Sequence, residues 1–138
     1  RTNFDDLNTY EVMRQGSKVA VLALGDFYDL GEKTVEALNS TLGIEATLVK
    51  PYFASGVDEN LLDNLVKDHD VIVTIEDGII EGGWGQNIAS YLGTSSARVL
   101  NYGVKKAFYD RANIADLMRE SHLDPELIAA DVKQVLGL

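Results

Sequence analysis

Two adjacent acidic residues and a run of glycines form the stretch of this sequence with the greatest potential for chemistry. Glu76 and Asp77 directly follow the apolar run at residues 71–75. Paired carboxylates at a strand end can act as a general acid and base, or as ligands of Mg²⁺. Consecutive strand residues point to opposite faces of a sheet, so the two carboxylates converge only if the chain bends sharply. We therefore favour hydrogen bonds or ion pairs across an interface over catalysis.

The glycine run surrounds the only tryptophan of the chain, in the order Gly82, Gly83, Trp84, Gly85. A glycine-rich turn before a helix resembles the loops that hold phosphate groups at helix N-termini. The spacing matches neither the dinucleotide-binding fingerprint nor the P-loop with its lysine. The acidic residues around the turn would also repel a free phosphate. We therefore predict that the loop packs against a partner subunit or domain, with Trp84 as an interface anchor.

A second loop of unusual composition follows the first long apolar run and contains Asp26, Phe27 and Tyr28. Ligands of open α/β sheets bind at the carboxyl ends of the strands, where both loops are expected to lie. Tyr52 and Phe53 follow the next strand, so the four aromatic side chains predict either a patch at this rim or core packing. The two loops together are the candidate interface or ligand sites.

Few other residues have catalytic potential. The chain has two histidines and no cysteine, which excludes disulfides, thiolate catalysis and thiolate zinc sites. His69 lies between an acidic helix end and a strand, so we predict that it caps that helix. His122 precedes the last helix and is predicted to be an exposed loop residue. The histidines lack ligand spacing and no serine lies in a nucleophile elbow, so we expect neither a metal site nor acyl transfer.

Apolar segments that suit buried strands alternate with amphipathic helical segments along the chain. Strands are predicted at residues 18–24, 44–49, 71–75 and 98–100, with a short edge strand at 9–13. Helices are predicted at residues 31–42, from Asp58 to 66, from the glycine loop to 92, at 114–119 and from Asp124 onward. This alternation predicts a three-layer α/β/α domain with a mostly parallel sheet of about five strands.

The composition favours one soluble domain that avoids nucleic acid and membranes. The 138 residues fit a domain at 9–138 after a linker at 1–8. The formal net charge of −10 predicts repulsion from nucleic acid and anionic lipid. No apolar run is long enough to span a bilayer. The lack of cysteine and of a secretory signal favours the cytoplasm, and the start at Arg1 suggests a part of a longer chain.

Five segments, taken in order, resemble one known family. They are Val19–Gly25, Val49–Pro51, Val73–Gly78, Gly82–Gly85 and Leu100–Gly103. The chain is thereby similar to the C-terminal domains of 1-deoxy-D-xylulose-5-phosphate synthases, which are transketolase-like thiamine diphosphate enzymes. The resemblance extends from about Tyr10 onward.

The resemblance implies a role inside a larger enzyme. Its parent would condense pyruvate with glyceraldehyde 3-phosphate and release carbon dioxide, for isoprenoid, thiamine and pyridoxal synthesis. Thiamine diphosphate and magnesium would be bound by two other domains, through a Gly-Asp-Gly motif that this chain lacks, since it has Gly25-Asp26-Phe27. The resemblance thus implies no catalytic, cofactor-binding or metal-binding residue here, and no activity of the fragment alone. The implied partners are other domains of its own chain and a second copy in a homodimer.

Two departures from the family pattern leave the substrate open. Thr47-Leu48 replaces an Arg-Phe pair, and Lys105-Lys106 stands where a Pro-Asp pair is common. A C-terminal domain of a transketolase or of a 2-oxoacid dehydrogenase β-chain is one alternative. A stand-alone regulatory module that binds a small anion at residues 82–86 is another.

Overall fold

The structure is a computed structural model that describes residues 10–51, 57–79, 83–104 and 123–138. Its strands are β1 (Glu11–Arg14), β2 (Lys18–Ala23), β3 (Thr47–Lys50), β4 (His69–Ile79) and β5 (Arg98–Val104). Its helices are α1 (Tyr28–Leu42), α2 (Glu59–Leu65), α3 (Trp84–Tyr91) and α4 (Pro125–Leu136), and a 3-10 turn at Gly25–Phe27 leads into α1.

The strands form one sheet in the order β1-β3-β2-β4-β5. β1 is antiparallel to β3, and the other pairs are parallel. The long pairing of β2 with β4 brings Val19 opposite Val71 and Ala23 opposite Ile75. Parallel strands need crossover connections, and helices supply them here. The predicted fold class, a mostly parallel sheet of about five strands, is confirmed.

Each face of the sheet is buried by a separate set of helices, because successive strand residues point to opposite sides. On one face, Val71, Val73 and Ile75 pack with α1 and α4. On the other face, Ile72 packs with α2 and α3. The middle strands are therefore apolar on both sides, which explains the nearly continuous apolar runs in the sequence.

Local capping signals placed the helix ends correctly. The Asp58 side chain accepts a hydrogen bond from the backbone N–H of Leu61 at the start of α2. Asp124 does the same for α4, with Pro125 as the first helical residue. Gly43 ends α1 in the left-handed region at a φ of 67°, a conformation that glycine adopts without steric cost. These three predictions are confirmed.

Four predicted boundaries differ from the structure by three or more residues. α1 begins at Tyr28 rather than at 31, and β3 begins at Thr47 rather than at 44. β4 continues past the predicted turn to Ile79, and β5 continues past 100 to Val104. The two strands extend because each offers the other a hydrogen-bonding partner, and Ile79 pairs with Val104. The linker at 1–8, the helical segment at 114–119, Tyr52, Phe53 and His122 lie outside the described residues.

A buried tyrosine fastens the last helix to the edge of the sheet. The Tyr102 hydroxyl of β5 donates a hydrogen bond to Asp131 of α4 at 2.7 Å. Burial and this carboxylate raise the pKa of Tyr102 well above its ordinary value. The phenol therefore remains a neutral donor across the physiological pH range.

Gly31 of α1 supplies a test of the packing between helix and sheet. A Cβ at Gly31 would lie 2.5 Å from the Cβ of Ala23. Gly31→Ala should therefore lower the free energy of unfolding by about 1–3 kcal/mol, although alanine favours helix by about 1 kcal/mol. Urea unfolding measures the change.

Ala23→Gly removes the opposing Cβ and provides the matched partner for a double-mutant cycle. The double variant should be more stable than the sum of the two single losses predicts. Strict additivity would contradict the contact between Gly31 and Ala23.

Candidate functional site

The Glu76 side chain is buried at the carboxyl end of β4, with 5% of the residue exposed. One carboxylate oxygen accepts the backbone N–H of Trp84 at 3.2 Å, and the other accepts that of Gly85 at 2.7 Å. Trp84 and Gly85 are the first two residues of α3. Glu76 therefore satisfies two N–H groups that a helix N-terminus leaves without an intrahelical partner.

Glu76 can do this because side chains alternate along β4: Ile72 packs with α2 and α3, and Thr74 and Glu76 lie beside Gly85 of α3. The pairing becomes irregular after Ile75, as in a β-bulge. Between the pairs Ile75–Tyr102 and Ile79–Val104, β4 advances four residues while β5 advances two. Gly83 meanwhile precedes α3 in an extended conformation and makes no side-chain cap. The carboxylate of the neighbouring strand takes the place of a local N-cap residue.

Gly85 is packed so closely that a larger residue would not fit. A Cβ at this position would lie 2.5 Å from Thr74 Oγ1, 2.8 Å from Glu76 Oε2 and 2.9 Å from Asn101 Oδ1. The Thr74 hydroxyl itself donates to Asn101 Oδ1 at 2.6 Å. The glycine thus allows the start of α3 to contact three polar side chains of β4 and β5.

This arrangement opposes both chemical interpretations of the acidic glycine segment. The N–H groups of Trp84 and Gly85, which a phosphate would need, already bind a carboxylate of the same chain. That carboxylate is in turn buried and accepts two backbone hydrogen bonds, so it is poorly placed to exchange protons with a substrate. The carboxylate and the two N–H groups that could have bound a ligand bind each other instead.

Trp84 extends this cluster towards the beginning of the chain. Its side chain is buried, with 2% of the residue exposed, and its indole Nε1–H donates to the Tyr10 hydroxyl at 3.0 Å. The two rings meet edge to face with centroids 6.3 Å apart. Tyr10 also donates its backbone N–H to Asp58 Oδ2 at 2.9 Å. Burial raises the pKa of Tyr10, and the hydrogen bond from Trp84 partly opposes this.

The described aromatic side chains of the two candidate loops lie on opposite faces of the sheet. Phe27 and Tyr28 pack against the α1 and α4 side of the core, whereas Trp84 belongs to the α2 and α3 side. The Lys50 ammonium lies 5.2 Å from the centroid of the Tyr28 ring, within cation–π range. The side chains of Asp26 and Asp77, and all of Gly82, lie outside the described residues.

His69 lies at the opposite end of the sheet, at the start of β4, and is buried. Its Nδ1 is 2.8 Å from the carbonyl of Leu65, the last residue of α2. Its Nε2 is 2.7 Å from Thr47 Oγ1, which accepts the backbone N–H of Gly16. Its Nδ1 also lies 2.6 Å from Asp68 Oδ1. A hydrogen on Nδ1 suits the contacts of that atom with the Leu65 carbonyl and the Asp68 carboxylate. The predicted capping of α2 by His69 is confirmed.

Sequence reasoning did not connect four residues with the cluster around Glu76. Thr74 and Asn101 escaped notice because each is a single polar residue in or after an apolar run, although an isolated polar residue in a buried strand is itself a signal. Tyr10 was assigned only to a short edge strand. Asp58 was recognised as a helix cap, but nothing in its sequence context predicts its second bond to Tyr10.

The described residues also lack two further kinds of feature. In the part of the chain that the structure describes, no three His, Cys, Asp or Glu side chains are grouped to hold a metal ion. None of the helices in the described ranges has the length and apolar character that crossing a membrane requires.

The fold and the site define a class of domain, namely a mostly parallel sheet covered by helices on both faces. Near the carboxyl edge of this sheet, the buried Glu76 accepts the first backbone N–H groups of α3, which begins after Gly83. The chain belongs to the family described as transketolase, C-terminal domain, which matches residues 8–128.

Curated relatives agree with this family. The chain is 35% identical over 134 residues to the 1-deoxy-D-xylulose-5-phosphate synthase of Pseudoalteromonas translucida, covering 96% of the chain and 21% of that protein. It is 34% identical over 128 residues to the enzyme of the same name from Vibrio vulnificus, covering 91% of the chain and 20% of that protein. The chain thus spans about a fifth of the length of these relatives.

Solved structures share the fold. A split-gene transketolase, described as an inactive tetramer of four β subunits, superposes with a TM-score of 0.80 and 24% identity. The match covers 100% of this chain and 43% of that one. A transketolase from Campylobacter jejuni gives a TM-score of 0.62 and 14% identity over 96% of this chain and 19% of that one.

Glu76 provides the test of the site. Glu76→Gln should lower the free energy of unfolding by about 1–3 kcal/mol, because the amide NH₂ would face a backbone N–H donor of α3. Urea unfolding measures the loss. Glu36→Gln, on an exposed position of α1, is the matched control and should change stability by less than about 0.5 kcal/mol. Equal effects of the two variants would contradict the capping role.

Proposed function

We propose that this chain is the C-terminal domain of a 1-deoxy-D-xylulose-5-phosphate synthase. One observation carries the proposal, namely the 35% identity that covers 96% of the chain. The parent enzyme condenses pyruvate with glyceraldehyde 3-phosphate, releases carbon dioxide and supplies precursors for isoprenoids, thiamine and pyridoxal. It is a thiamine diphosphate-dependent transferase of the cytoplasm.

Within that enzyme, the domain supports the catalytic domains and contributes no reacting group. The described residues do not fit thiamine diphosphate or its magnesium ion, because the N–H groups at the start of α3 already bind Glu76. The chemistry belongs to the other domains, and this domain holds them in place.

The proposed contacts follow from this role. Residues 1–8 are the linker from the preceding domain, and residues 9–138 form the domain itself. The loops at the carboxyl edge of the sheet, with Asp26, Phe27, Tyr28, Asp77 and Gly82–Gly83, are the surface that meets other domains or a second subunit of a homodimer. The buried residues Glu76, Trp84 and Gly85 support that surface by holding the start of α3 against β4.

Two alternatives differ in ways that can be measured. The split-gene transketolase matches the fold over the whole chain, so a C-terminal domain of a transketolase or of a 2-oxoacid dehydrogenase β-chain is the second candidate. The higher identity to the synthases favours the first proposal. A small-anion regulatory module is less favoured, because Glu76 occupies the amides that the anion would need.

A domain replacement tests the proposal directly. The segment of the Pseudoalteromonas translucida relative that aligns with this chain is replaced by the chain itself. We expect the chimera to release carbon dioxide from pyruvate only when glyceraldehyde 3-phosphate is present, because the preceding domains keep the cofactor site. The relative truncated before this segment should be inactive.

The control is a chimera that carries the corresponding domain of the Campylobacter jejuni transketolase, which shares the fold at 14% identity. It should remain at the level of the truncated protein, because its surface does not match the synthase domains. Equal activity of the two chimeras would remove the assignment to the synthase and leave only the fold.

Cofactor binding tests the supporting role separately. Isothermal titration of thiamine diphosphate with MgCl₂ into the isolated 138-residue chain, after circular dichroism has shown that it is folded, should give only heats of dilution. Glyceraldehyde 3-phosphate should behave in the same way. Saturable binding of either compound would contradict a domain without a ligand site.

A further inference from the structure

Tyr10, the first residue that the structure describes, is held to the domain by both its side chain and its backbone. It is an aromatic residue with 6% of its surface exposed, and it directly precedes β1. Its ring packs against Trp84, and its hydroxyl accepts the indole N–H. Its backbone N–H donates to Asp58. Side-chain and backbone contacts thus hold the same residue to two different helices.

These contacts belong to one continuous set of hydrogen bonds. Asp58 uses Oδ1 to cap α2 and Oδ2 to accept the backbone of Tyr10. Trp84 uses its indole N–H for Tyr10 and its backbone N–H for Glu76. Asp58 and Glu76 are therefore joined through Tyr10 and Trp84, and the set connects the start of the chain to the carboxyl end of β4.

The chemistry of the Tyr10 contact suits a permanent attachment. Burial raises the pKa of Tyr10 above its ordinary value, so the phenol is neutral at physiological pH and the bond from Trp84 does not depend on pH there. A T-shaped aromatic pair adds a preferred orientation to the hydrogen bond. The attachment fixes both the position and the direction of the chain at residue 10.

We propose that Tyr10 is an anchor that fixes where the preceding segment joins this domain, by tying it to Trp84 and through Trp84 to the Glu76–α3 unit. This inference rests on the proposed function, in which residues 1–8 link to the preceding domain. A linker of that length reaches at most roughly 30 Å, so the position of its last residue restricts where the preceding domain can lie. The partner is thus the preceding domain of the same chain, held beside the carboxyl edge of the sheet.

Amide and indole hydrogen exchange in the isolated chain tests the anchor. Trp84 is the only tryptophan, so its indole N–H gives a single resonance. In Tyr10→Phe, exchange of this indole N–H and of the backbone amide of residue 10 should accelerate about two- to tenfold, as expected for the loss of one neutral hydrogen bond. The amide of residue 10 is the decisive probe, because its own acceptor Asp58 is unchanged.

Tyr91→Phe is the matched control. The Tyr91 hydroxyl also joins α3 to α2, but its 2.9 Å hydrogen bond goes to Asp63 rather than to Tyr10. It should leave exchange at residue 10 unchanged. An amide of residue 10 that exchanges at the same rate in wild type and Tyr10→Phe overturns the anchor. Tyr10→Ala, which also removes the ring packing against Trp84, must accelerate exchange further than Tyr10→Phe, and failure to do so also overturns it.

The chimera with the Pseudoalteromonas translucida relative separates this inference from the proposed function. Tyr10→Phe should lower its turnover about two- to tenfold relative to Tyr91→Phe, at similar thermal unfolding midpoints. Equal turnover of the two variants overturns the anchor while the proposed function stands. An inactive wild-type chimera overturns the proposed function, whereas the exchange result in the isolated chain still decides whether Tyr10 fastens the segment.

Discussion

The buried carboxylate of Glu76 and the open end of α3 depend on each other. The first N–H groups of a helix have no partner within it, and a carboxylate removed from water is costly unless it accepts hydrogen bonds. Glu76 resolves both problems through Trp84 and Gly85. Charge-assisted bonds of this kind are stronger than neutral ones, and the negative charge also interacts favourably with the N-terminal end of the helix dipole. The position of α3 on the sheet follows from this contact.

Other parts of the domain are arranged around that contact. Gly85 must lack a side chain, because Thr74, Glu76 and Asn101 fill the space beside it. The Trp84 side chain is buried in the core, where its indole N–H donates to the Tyr10 hydroxyl. Among the described polar side chains beside α3, Thr74 therefore bonds to Asn101, and Glu76 bonds to the backbone of α3. An acidic, glycine-rich segment of this composition resembles an active site in sequence, yet its buried Glu76 joins a helix to a strand.

Polar contacts also join other helices to the sheet or to one another. Tyr102 bonds α4 to β5, and Tyr91 bonds α3 to α2. At the far end of the sheet, His69 connects the end of α2 with Thr47 of β3. The apolar cores on the two faces supply most of the stability, while these directional bonds fix how each helix lies.

The sequence alone determined the features that depend on near neighbours. Asp58, Asp124 and Gly43 act within a few residues of their own positions, and the alternation of strands and helices follows from local periodicity, so the helix ends and the fold class were predictable. Only the tertiary structure decided the partners of Glu76 and Tyr10. The bulge in β4 depends on β5, and Tyr10 meets Trp84 across 74 residues. Such contacts arise from the packing of distant segments, and no local pattern specifies which distant group will fill a buried site.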